Sequence, residues 1–381
     1  MSRKKILIPM MEAGAGHKMP ALAVKTSIEA LYPGKYQVDV IDFAKECGAL
    51  KDDKALKKTW DFALAHPFWA KFGYLAAEWI YPLSHLYLPL AHSEWIKKGR
   101  EYIADYKPDL VFSTHFFSIS VSARAREKLN MPFKTIGYIT DPFDAYSFWN
   151  EKRADYIIVS SQKAALKSRR HGIPAEKLKI FPFPINPKFM NIRRSKEEII
   201  NEYGIDTSMP TVLTTAGGQG ISKIGEFVKE MYRKGLKFNI LSVCARNEEL
   251  KKELEELKTS ITSDTNLIPL GFVSNMNELL YASDFCVAKA GASTTFEALL
   301  MGTPIIFTDW ATYSEKPNVD YCVEKGVGWW AGNKKTFFKL LDEIQNSDIL
   351  KNAKKKLSDL ELKSGADDIA RFIVETLENS E

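Results

Sequence analysis

Short apolar runs alternate with helical patterns along almost the whole chain, and this alternation restricts the fold more than any other feature. In the first half the strand-like runs are KILIPM (5–10), YQVDVIDF (36–43), DLVFST (109–114), FKTIGYIT (133–140) and DYIIVSS (155–161). A helical pattern runs from about Pro20 to Leu31, between the first two. Uninterrupted apolar strands that alternate with helices are typical of parallel sheets covered on both faces. The sequence therefore predicts an α/β protein.

The second half of the chain begins the same scheme again. TVLTTA (211–216), FNILSV (238–243), FCVAKA (285–290) and PIIFTD (304–309) have the pattern of strands, and the stretch from Ile224 to Tyr232 has that of an amphipathic helix. The proline-rich FPFPINPKF (181–189) favours an extended linker between the halves. We expect two doubly wound Rossmann-like domains, 1–185 and 186–360, that face each other across a ligand-binding cleft. Residues 361–381 are expected to form a helix that can pack back on the first domain.

Charge is distributed unevenly between the two halves. Residues 1–190 hold 29 Lys and Arg against 19 Asp and Glu, whereas residues 191–381 hold 24 against 29. A basic first half suggests an anionic partner such as a membrane surface, although scatter over a solvated surface gives the same count. Nucleic acid is not expected, because no basic stripe is interleaved with aromatic residues.

Cysteine usage and hydropathy indicate where the protein works. Cys47, Cys244, Cys286 and Cys322 form neither a close pair nor a metal-binding spacing, which predicts free thiols in a reducing compartment. The N-terminal apolar run is too short for a signal peptide, and no run reaches the roughly 18 residues of a membrane span. We expect a cytoplasmic protein, soluble or peripheral on the cytoplasmic face of a membrane.

The segment 60–96 departs from the α/β pattern, since it contains four of the eight tryptophans and three of the six histidines. Helical spacing places Phe68, Phe72 and Trp79 on one stripe, with Trp69 in the same turn as Phe68. An amphipathic helix rich in Trp and Tyr suits a membrane interface or a lipid chain. The alternative is a helix that packs its apolar side on its own domain.

The turn Gly14-Ala15-Gly16-His17 follows the first strand and precedes a helix. A dinucleotide fingerprint would need a third glycine at position 19, where the chain has Met19. What remains is a tight turn that lets a ligand approach the backbone, with His17 at the start of a helix. A helix N-terminus lowers the pKa of an imidazole and favours its neutral form, so His17 is either a candidate base or a structural histidine.

Glycine turns also follow strands in the second half. TTAGGQG (214–220) and AKAGAST (288–294) each lead into a helix, whose free amides could bind phosphate. Glu297 lies one turn into the second of these helices, where it could accept hydrogen bonds from a ribose. GFVS (271–274) could press its backbone against a base. Together, the two turns, Glu297 and GFVS predict diphosphate, ribose and base subsites in one domain.

These motifs resemble the nucleotide-sugar glycosyltransferases of the GT-B fold. Within that group they resemble the monogalactosyldiacylglycerol synthases and the bacterial processive diacylglycerol glucosyltransferases. The resemblance covers nearly the whole chain. It is carried in the first half by GAGH, STHFFS, IGYITD and GIPAEKLKIFPFPINPKF, and in the second by TTAGGQG, SVCARNEEL, LGFVSNMNELLYASDFCVAKAGASTTFEALLMGTPII and EKPNVDYCVEKGVG.

The resemblance implies a UDP-sugar donor and a role for each matching residue. His17 would be the base that faces the acceptor, with Asp141 nearby, and Gly14 and Gly16 would border the acceptor. Donor contacts would come from Gly217, Gly218, Gly220, Arg246, Phe272, Val273, Gly291, Ser293, Thr294, Glu297, Glu315 and Asn318. Relatives often have a Pro-Gly-Gln approach to the last Glu and Asn, whereas this chain has WATYSEKPN, so the donor hexose stays open.

The implied reaction is an inverting transfer of a hexose to a diacylglycerol-type lipid, with no metal and no cofactor, since no D-x-D pair is present. Three alternatives remain from the same architecture. They are a UDP-N-acetylglucosamine transferase acting on a lipid-linked cell-wall precursor, a sugar-nucleotide epimerase, and a non-catalytic sensor of sugar nucleotides.

Overall fold

The computed structural model describes residues 3–12, 14–81, 84–215 and 223–379. Within them the chain divides into two compact units. Unit 1 comprises Met1–Pro187, Thr312–Ser314 and Ser364–Glu381, and unit 2 comprises Lys188–Ala311 and Glu315–Lys363. Each unit contains one sheet of six parallel strands, which confirms the predicted α/β class.

Unit 1 is built on the strands β1 (Lys4–Met10), β2 (Tyr36–Asp42), β3 (Leu110–Ser113), β4 (Lys134–Tyr138), β5 (Tyr156–Val159) and β6 (Leu178–Ile180). Its helices are α1 (Lys18–Leu31), α2 (Phe43–Glu46), α3 (Leu50–Ala65), α4 (Pro67–Trp79), α5 (Ser84–Ala91), α6 (Ser93–Tyr106), α7 (Phe116–Leu129) and α8 (Gln162–Arg170), with a last helix that is numbered α17 (Ala366–Glu378).

The strand order in unit 1 is β2-β1-β3-β4-β5-β6. Strand β2 lies on one side of β1 and strands β3 to β6 lie on the other, so the order of the strands reverses between β1 and β3. These two strands are parallel, hydrogen-bonded neighbours. Ile6, Leu7 and Ile8 in β1 are fully buried, as a strand covered on both faces requires. A crevice beyond the carboxyl ends of β1 and β3 is where such a sheet binds its ligand.

Unit 2 contains β7 (Thr211–Thr215), β8 (Asn239–Val243), β9 (Asn266–Leu270), β10 (Phe285–Lys289), β11 (Ile305–Asp309) and β12 (Gly328–Trp330). Its helices are α9 (Lys196–Tyr203), α10 (Ile224–Arg233), α11 (Glu248–Ser260), α12 (Met276–Ala282), α13 (Ala292–Leu300), α14 (Lys316–Lys325), α15 (Lys334–Asn346) and α16 (Ile349–Asp359). The order β12-β11-β10-β7-β8-β9 is that of a Rossmann sheet, with its reversal between β7 and β10.

The C-terminal helix α17 lies against α1 in unit 1, where the Tyr36 hydroxyl donates to Glu378 Oε1 at 2.6 Å. The chain reaches α17 through a close contact at Gly365. A side chain at Gly365 would place its Cβ 2.0 Å from the carbonyl oxygen of Pro182, so only glycine fits. Ser364 Oγ accepts from the Ile185 amide at 2.9 Å, which joins this turn to the proline-rich segment.

Two further observations bear on the expectations from sequence. The four cysteines are free, as predicted, and Cys244, Cys286 and Cys322 are buried. In the described ranges, no helix has both the length and the apolar character that crossing a membrane requires.

A buried amide at the start of β8 gives a test of the unit 2 fold. The side chain of Asn239 is fully buried and bridges the loop before β7, because its Nδ2 donates to the Asp206 oxygen at 2.8 Å and its Oδ1 accepts from the Asp206 amide at 2.8 Å. Asn239→Ala leaves these backbone groups without partners. We expect the free energy of unfolding of unit 2 to fall by about 2–4 kcal/mol, measured by urea denaturation.

The matched control is Asn346→Ala on the exposed side of α15. There the side chain donates to Asp342 of its own helix and makes no other hydrogen bond among the described residues. We expect a change of less than about 0.5 kcal/mol for this control. Equal effects of the two substitutions would contradict the bridging role of Asn239.

Candidate active site

The turn after β1 places His17 at the reversal point of the unit 1 sheet. Gly14 has φ 86°, a left-handed conformation that a side chain disfavours, and this sharp turn brings the chain to the start of α1. His17 precedes Lys18, the first residue of α1. On the neighbouring strand, β3 ends at Ser113, so that Thr114 lies on the same edge of the sheet.

His17 and Thr114 are joined by two hydrogen bonds. The His17 Nδ1 lies 2.6 Å from the carbonyl oxygen of Thr114, and the Thr114 hydroxyl donates to the carbonyl oxygen of His17 at 2.8 Å. A carbonyl oxygen can only accept, so Nδ1 must carry the proton. In the neutral ring Nε2 then keeps its lone pair, which is the state of a general base.

The His17 ring is neutral over a wide pH range. Burial lowers its pKa to about 4, although the hydrogen bond to the Thr114 carbonyl acts in the opposite direction. The direction agrees with the expectation from sequence. The principal cause is the removal of the ring from water by its aromatic neighbours.

Three aromatic side chains surround the His17 ring. His115 meets it edge-on with ring centroids 4.9 Å apart, Trp149 lies at 5.8 Å and Phe116 at 6.2 Å. His115 is itself buried, and its pKa lies well below the ordinary value because of burial. The environment of His17 is therefore apolar on several sides.

Trp149 connects His17 to Asp141. The indole Nε1 of this buried residue donates to Asp141 Oδ2 at 3.1 Å, while its ring contacts His17. The structure thus brings the two first-half candidates to one place, through a residue that the sequence analysis did not select. Thr114 lies in the motif STHFFS (113–118), in which no single residue was given a role, whereas Trp149 lies in none of the motifs that carry the resemblance.

The aromatic helix α4 exposes the side that the sequence predicts to be apolar. Phe68 is 74% exposed and Trp79 is 86% exposed, and Trp69 and Phe72 are also exposed. The other edge of the helix faces its own unit, where the Tyr74 hydroxyl donates to Asp144 and the Ser147 amide donates to Glu78. The alternative of an apolar face packed on its own domain is therefore wrong for these four side chains.

The reversal point of the unit 2 sheet lies between β7 and β10, where Thr215 pairs with Ala288. The turn after β7 carries Gly217, Gly218 and Gly220, which lie outside the described residues. The turn after β10 leads through Ala290 and Gly291 into α13. The first-turn amides of α13 thus lie at the position where a Rossmann sheet binds phosphate.

Two buried polar atoms lie beside this turn without partners. Ser293 Oγ in the first turn of α13 and Asn318 Oδ1 in α14 are buried and have no hydrogen-bond partner among the described residues. Asn318 is held in place because its Nδ2 donates to the Ala290 oxygen at 2.9 Å. Since unpaired buried polar atoms are costly, these two are suited to bind a polar ligand. Thr294 lies between Ser293 and Thr295 and is partly buried.

Glu315 adjoins the same turn. Its Oε2 accepts from the Ala311 amide at 2.6 Å, and its Oε1 lies 3.9 Å from Lys289 Nζ. A Cβ built on Gly291 would lie 3.8 Å from Oε1. The structure therefore gathers Gly291, Ser293, Glu315 and Asn318 around one turn.

Glu297 has a perturbed carboxyl group. Burial raises its pKa to about 7, while the charge of Lys188 acts in the opposite direction. A carboxyl group that is half protonated near neutral pH is a common feature of functional sites.

The remaining donor candidates lie in the turns that follow β8 and β9. Arg246 is exposed after β8, where Ala245 adopts φ 53°, and Phe272 is exposed after β9 beside Val273. Within the described ranges no group of three or more His, Cys, Asp or Glu could hold a metal ion.

Two family models match the chain. Residues 17–185 match monogalactosyldiacylglycerol (MGDG) synthase, and residues 211–371 match the glycosyltransferase family 28 C-terminal domain. The chloroplastic monogalactosyldiacylglycerol synthase of Spinacia oleracea is 26% identical over 353 residues, covering 90% of this chain and 66% of that protein. Synthase 1 of Arabidopsis thaliana is 27% identical over 349 residues, covering 89% and 64%. This chain spans just under two thirds of the length of these relatives.

Solved structures share the fold over nearly the whole chain. MurG of Acinetobacter baumannii has a TM-score of 0.61 at 12% identity, covering 98% of this chain and 99% of that one. A UDP-GlcNAc 2-epimerase from Neisseria meningitidis bound to UDP-GlcNAc has a TM-score of 0.61 at 14% identity, covering 99% and 100%. Anabaena HepE in complex with UDP-glucose has a TM-score of 0.56 at 16% identity, covering 98% and 99%.

These structural likenesses show the GT-B fold and nothing finer, because their sequence identities are low. The sequence matches go further, since one family model covers strands β2 to β6 of unit 1 and the other covers all six strands of unit 2. Together, these matches show that the chain is a glycosyltransferase, similar to the monogalactosyldiacylglycerol synthases over residues 17–185 and to the family 28 C-terminal domain over residues 211–371.

Proposed function

We propose that this protein transfers a hexose from a UDP-sugar to a diacylglycerol-type lipid, with inversion at the anomeric carbon, on the cytoplasmic face of a membrane. Residues 1–185 bind the acceptor and residues 186–360 bind the donor. The observation that carries the proposal is the neutral His17, whose Nδ1–H is committed to Thr114 and whose Nε2 is a base.

The donor half is supported by the polar groups at Gly291. The α13 amides and Ser293 bind the diphosphate, Glu297 accepts from the ribose hydroxyls, and Glu315 and Asn318 bind the hexose. Structures of the same fold hold UDP-GlcNAc and UDP-glucose, which supports a UDP-sugar here. Gly217, Gly218 and Gly220 complete the diphosphate site, and Arg246, Phe272 and Val273 bind the nucleotide from the neighbouring strands.

The reaction is a single displacement. His17 Nε2 takes the proton of the acceptor hydroxyl while its oxygen bonds to the anomeric carbon, and the bond from that carbon to the diphosphate oxygen breaks. UDP leaves with the electron pair. The positive end of α13 and Arg246 stabilise the charge on the diphosphate, so the residues supply what a metal ion would otherwise supply.

The lipid acceptor is supported by the exposed face of α4 and by the MGDG synthase match over residues 17–185. A large apolar patch is a hallmark of an interaction surface, and Trp and Phe on a short helix suit the interface of a bilayer. An epimerase would have no use for this face. A transferase for a lipid-linked cell-wall precursor shares it, and the fold of MurG keeps this second candidate open to test.

The first prediction concerns the base. His17→Ala and His17→Gln should lower the transfer rate by about 100-fold or more, because neither side chain can accept the proton. Gln can still donate to the Thr114 carbonyl, so its loss of activity would separate proton transfer from positioning. UDP binding, measured by calorimetry, should be unchanged in both. Transfer at the wild-type rate by either variant would remove His17 from the chemistry.

The second prediction concerns Glu297. Its pKa of about 7 means that the carboxylate forms as the pH rises from 6 to 8. We expect UDP-glucose to bind about tenfold more tightly at pH 8 than at pH 6, because only the carboxylate accepts from both ribose hydroxyls. Glu297→Gln should bind weakly and with no pH dependence. A wild-type affinity that is constant over this range would contradict the ribose assignment.

The third prediction concerns the membrane. The protein should sediment with vesicles that contain anionic lipid, less so as salt rises, since charge and apolar contact both contribute. The double substitution Phe68→Ser and Trp79→Ser should weaken this binding by about tenfold or more without lowering thermal stability, because both side chains are already exposed.

The control for the third prediction is Val323→Ser, an exposed apolar residue of α14 in unit 2. It should bind vesicles like the wild type. The membrane assignment fails if the wild type does not sediment with vesicles at low salt. It also fails if Val323→Ser weakens vesicle binding as much as the double substitution does.

A further inference from the structure

The polar edge of helix α4 contacts a short stretch of unit 1, residues 141–150. The Tyr74 hydroxyl donates to Asp144 Oδ2 at 2.5 Å, and its ring stacks on Tyr146 with centroids 5.0 Å apart. One turn later, Glu78 Oε1 accepts from the Ser147 amide at 2.7 Å. The polar edge of α4 therefore packs on the 141–150 segment.

Basic side chains in α8 and just after it bind the carboxylates of Asp144 and Glu78. Lys167 Nζ donates to Asp144 Oδ1 at 2.6 Å and lies 3.0 Å from Glu78 Oε2, and His171 Nε2 lies 3.4 Å from the same oxygen. Burial tends to raise the pKa of Glu78, but the hydrogen bonds from His171 and Lys167 hold that pKa below its ordinary value. Glu78 is thus a charged, partly buried anchor rather than a solvated side chain.

The same segment carries the wall of the active site. Asp141 is its first residue, and Trp149, near its end, donates to Asp141 and contacts the His17 ring. Asn150 fixes the bend, because its Nδ2 donates to the Tyr146 oxygen at 3.1 Å. Between Asp141 and Trp149 lie the three residues that hold α4. A displacement of α4 must therefore move or strain the residues beside His17.

We propose that Tyr74 and Glu78 are positioning residues. They couple the binding of α4 to a bilayer to the geometry of Asp141 and Trp149 beside His17. The proposal rests on the function proposed above, in which α4 meets the membrane and His17 is the base. The polar edge of α4 binds the 141–150 segment, and the apolar face of α4 binds the membrane.

The physical basis is linkage. A bilayer that binds α4 only while the helix is packed on residues 141–150 stabilises this packed state relative to states in which the segment opens. The protected amide hydrogens of a short segment exchange only when that segment opens. The exchange rate of the 141–150 amides therefore measures the coupling without depending on catalysis.

The test is hydrogen–deuterium exchange of the whole protein with and without anionic vesicles. In the wild type, we expect vesicles to slow exchange in peptides that cover 141–150 by about threefold or more. In the double variant Tyr74→Phe and Glu78→Ala, vesicles should still bind, because the apolar face is intact, but exchange in these peptides should no longer respond.

A conservative variant separates coupling from simple damage. Glu78→Gln keeps an oxygen that can accept from the Ser147 amide, so we expect it to retain most of the vesicle response that Glu78→Ala loses. The matched control is Tyr281→Phe on an exposed ring of unit 2, which should behave as the wild type. Global unfolding of each variant is followed by urea denaturation, which identifies any variant that fails to fold.

Steady-state rates give the second readout. With vesicle-presented acceptor, the double variant should lose about tenfold in kcat at an unchanged KM for the UDP-sugar, since the donor half is untouched. A wild type that binds vesicles without slower exchange in 141–150 would overturn the coupling and leave the transfer reaction standing. An unaltered response in the double variant would overturn it too. A wild type that does not bind vesicles would overturn both the coupling and the membrane assignment, whereas transfer would still be measured with a short-chain acceptor.

Discussion

The carbonyl oxygen of Thr114 determines what His17 can do. Because a carbonyl cannot donate, it fixes the proton of the imidazole on Nδ1, and burial among the surrounding aromatic rings keeps the resting imidazole neutral, with Nε2 unprotonated. The topology of the sheet makes this contact, since β1 and β3 are neighbours at the point where the strand order reverses. Turn, helix start and neighbouring strand must all be in place for the ring to be a base at neutral pH.

The two units place different groups at the same architectural position. In unit 1 the reversal point holds an imidazole in an aromatic setting, and in unit 2 the corresponding point holds helix amides, Ser293 and Asn318. An apolar setting suits a neutral base, and unpaired polar atoms suit a charged, hydroxyl-rich ligand. Helix α4 adds a third surface, in which the usual arrangement is inverted: its polar edge is turned to the protein and its apolar face is exposed.

Much of the fold could be predicted from sequence because buried parallel strands are continuous apolar runs. The three-residue edge strands β6 and β12 were missed, since they are too short to show a pattern. The sequence located His17, Asp141, Gly291 and Glu297 through glycine turns and family motifs. It could not find Trp149, which links Asp141 to His17, because that link depends on a contact between chain segments far apart in sequence. The exposure of Phe68 and Trp79 was also beyond sequence, since an apolar stripe looks the same whether it faces a core or a membrane.

The central claim is that a neutral imidazole on one unit activates a lipid hydroxyl toward a UDP-sugar held by the other unit. The most direct measurement is incubation of the purified protein with radiolabelled UDP-glucose or UDP-galactose and diacylglycerol, followed by extraction and NMR of the labelled lipid. The account predicts a hexosyl-diacylglycerol with the β configuration, inverted from the α-linked donor, together with free UDP. An α-linked product, or an epimerised sugar nucleotide with no labelled lipid, would contradict it.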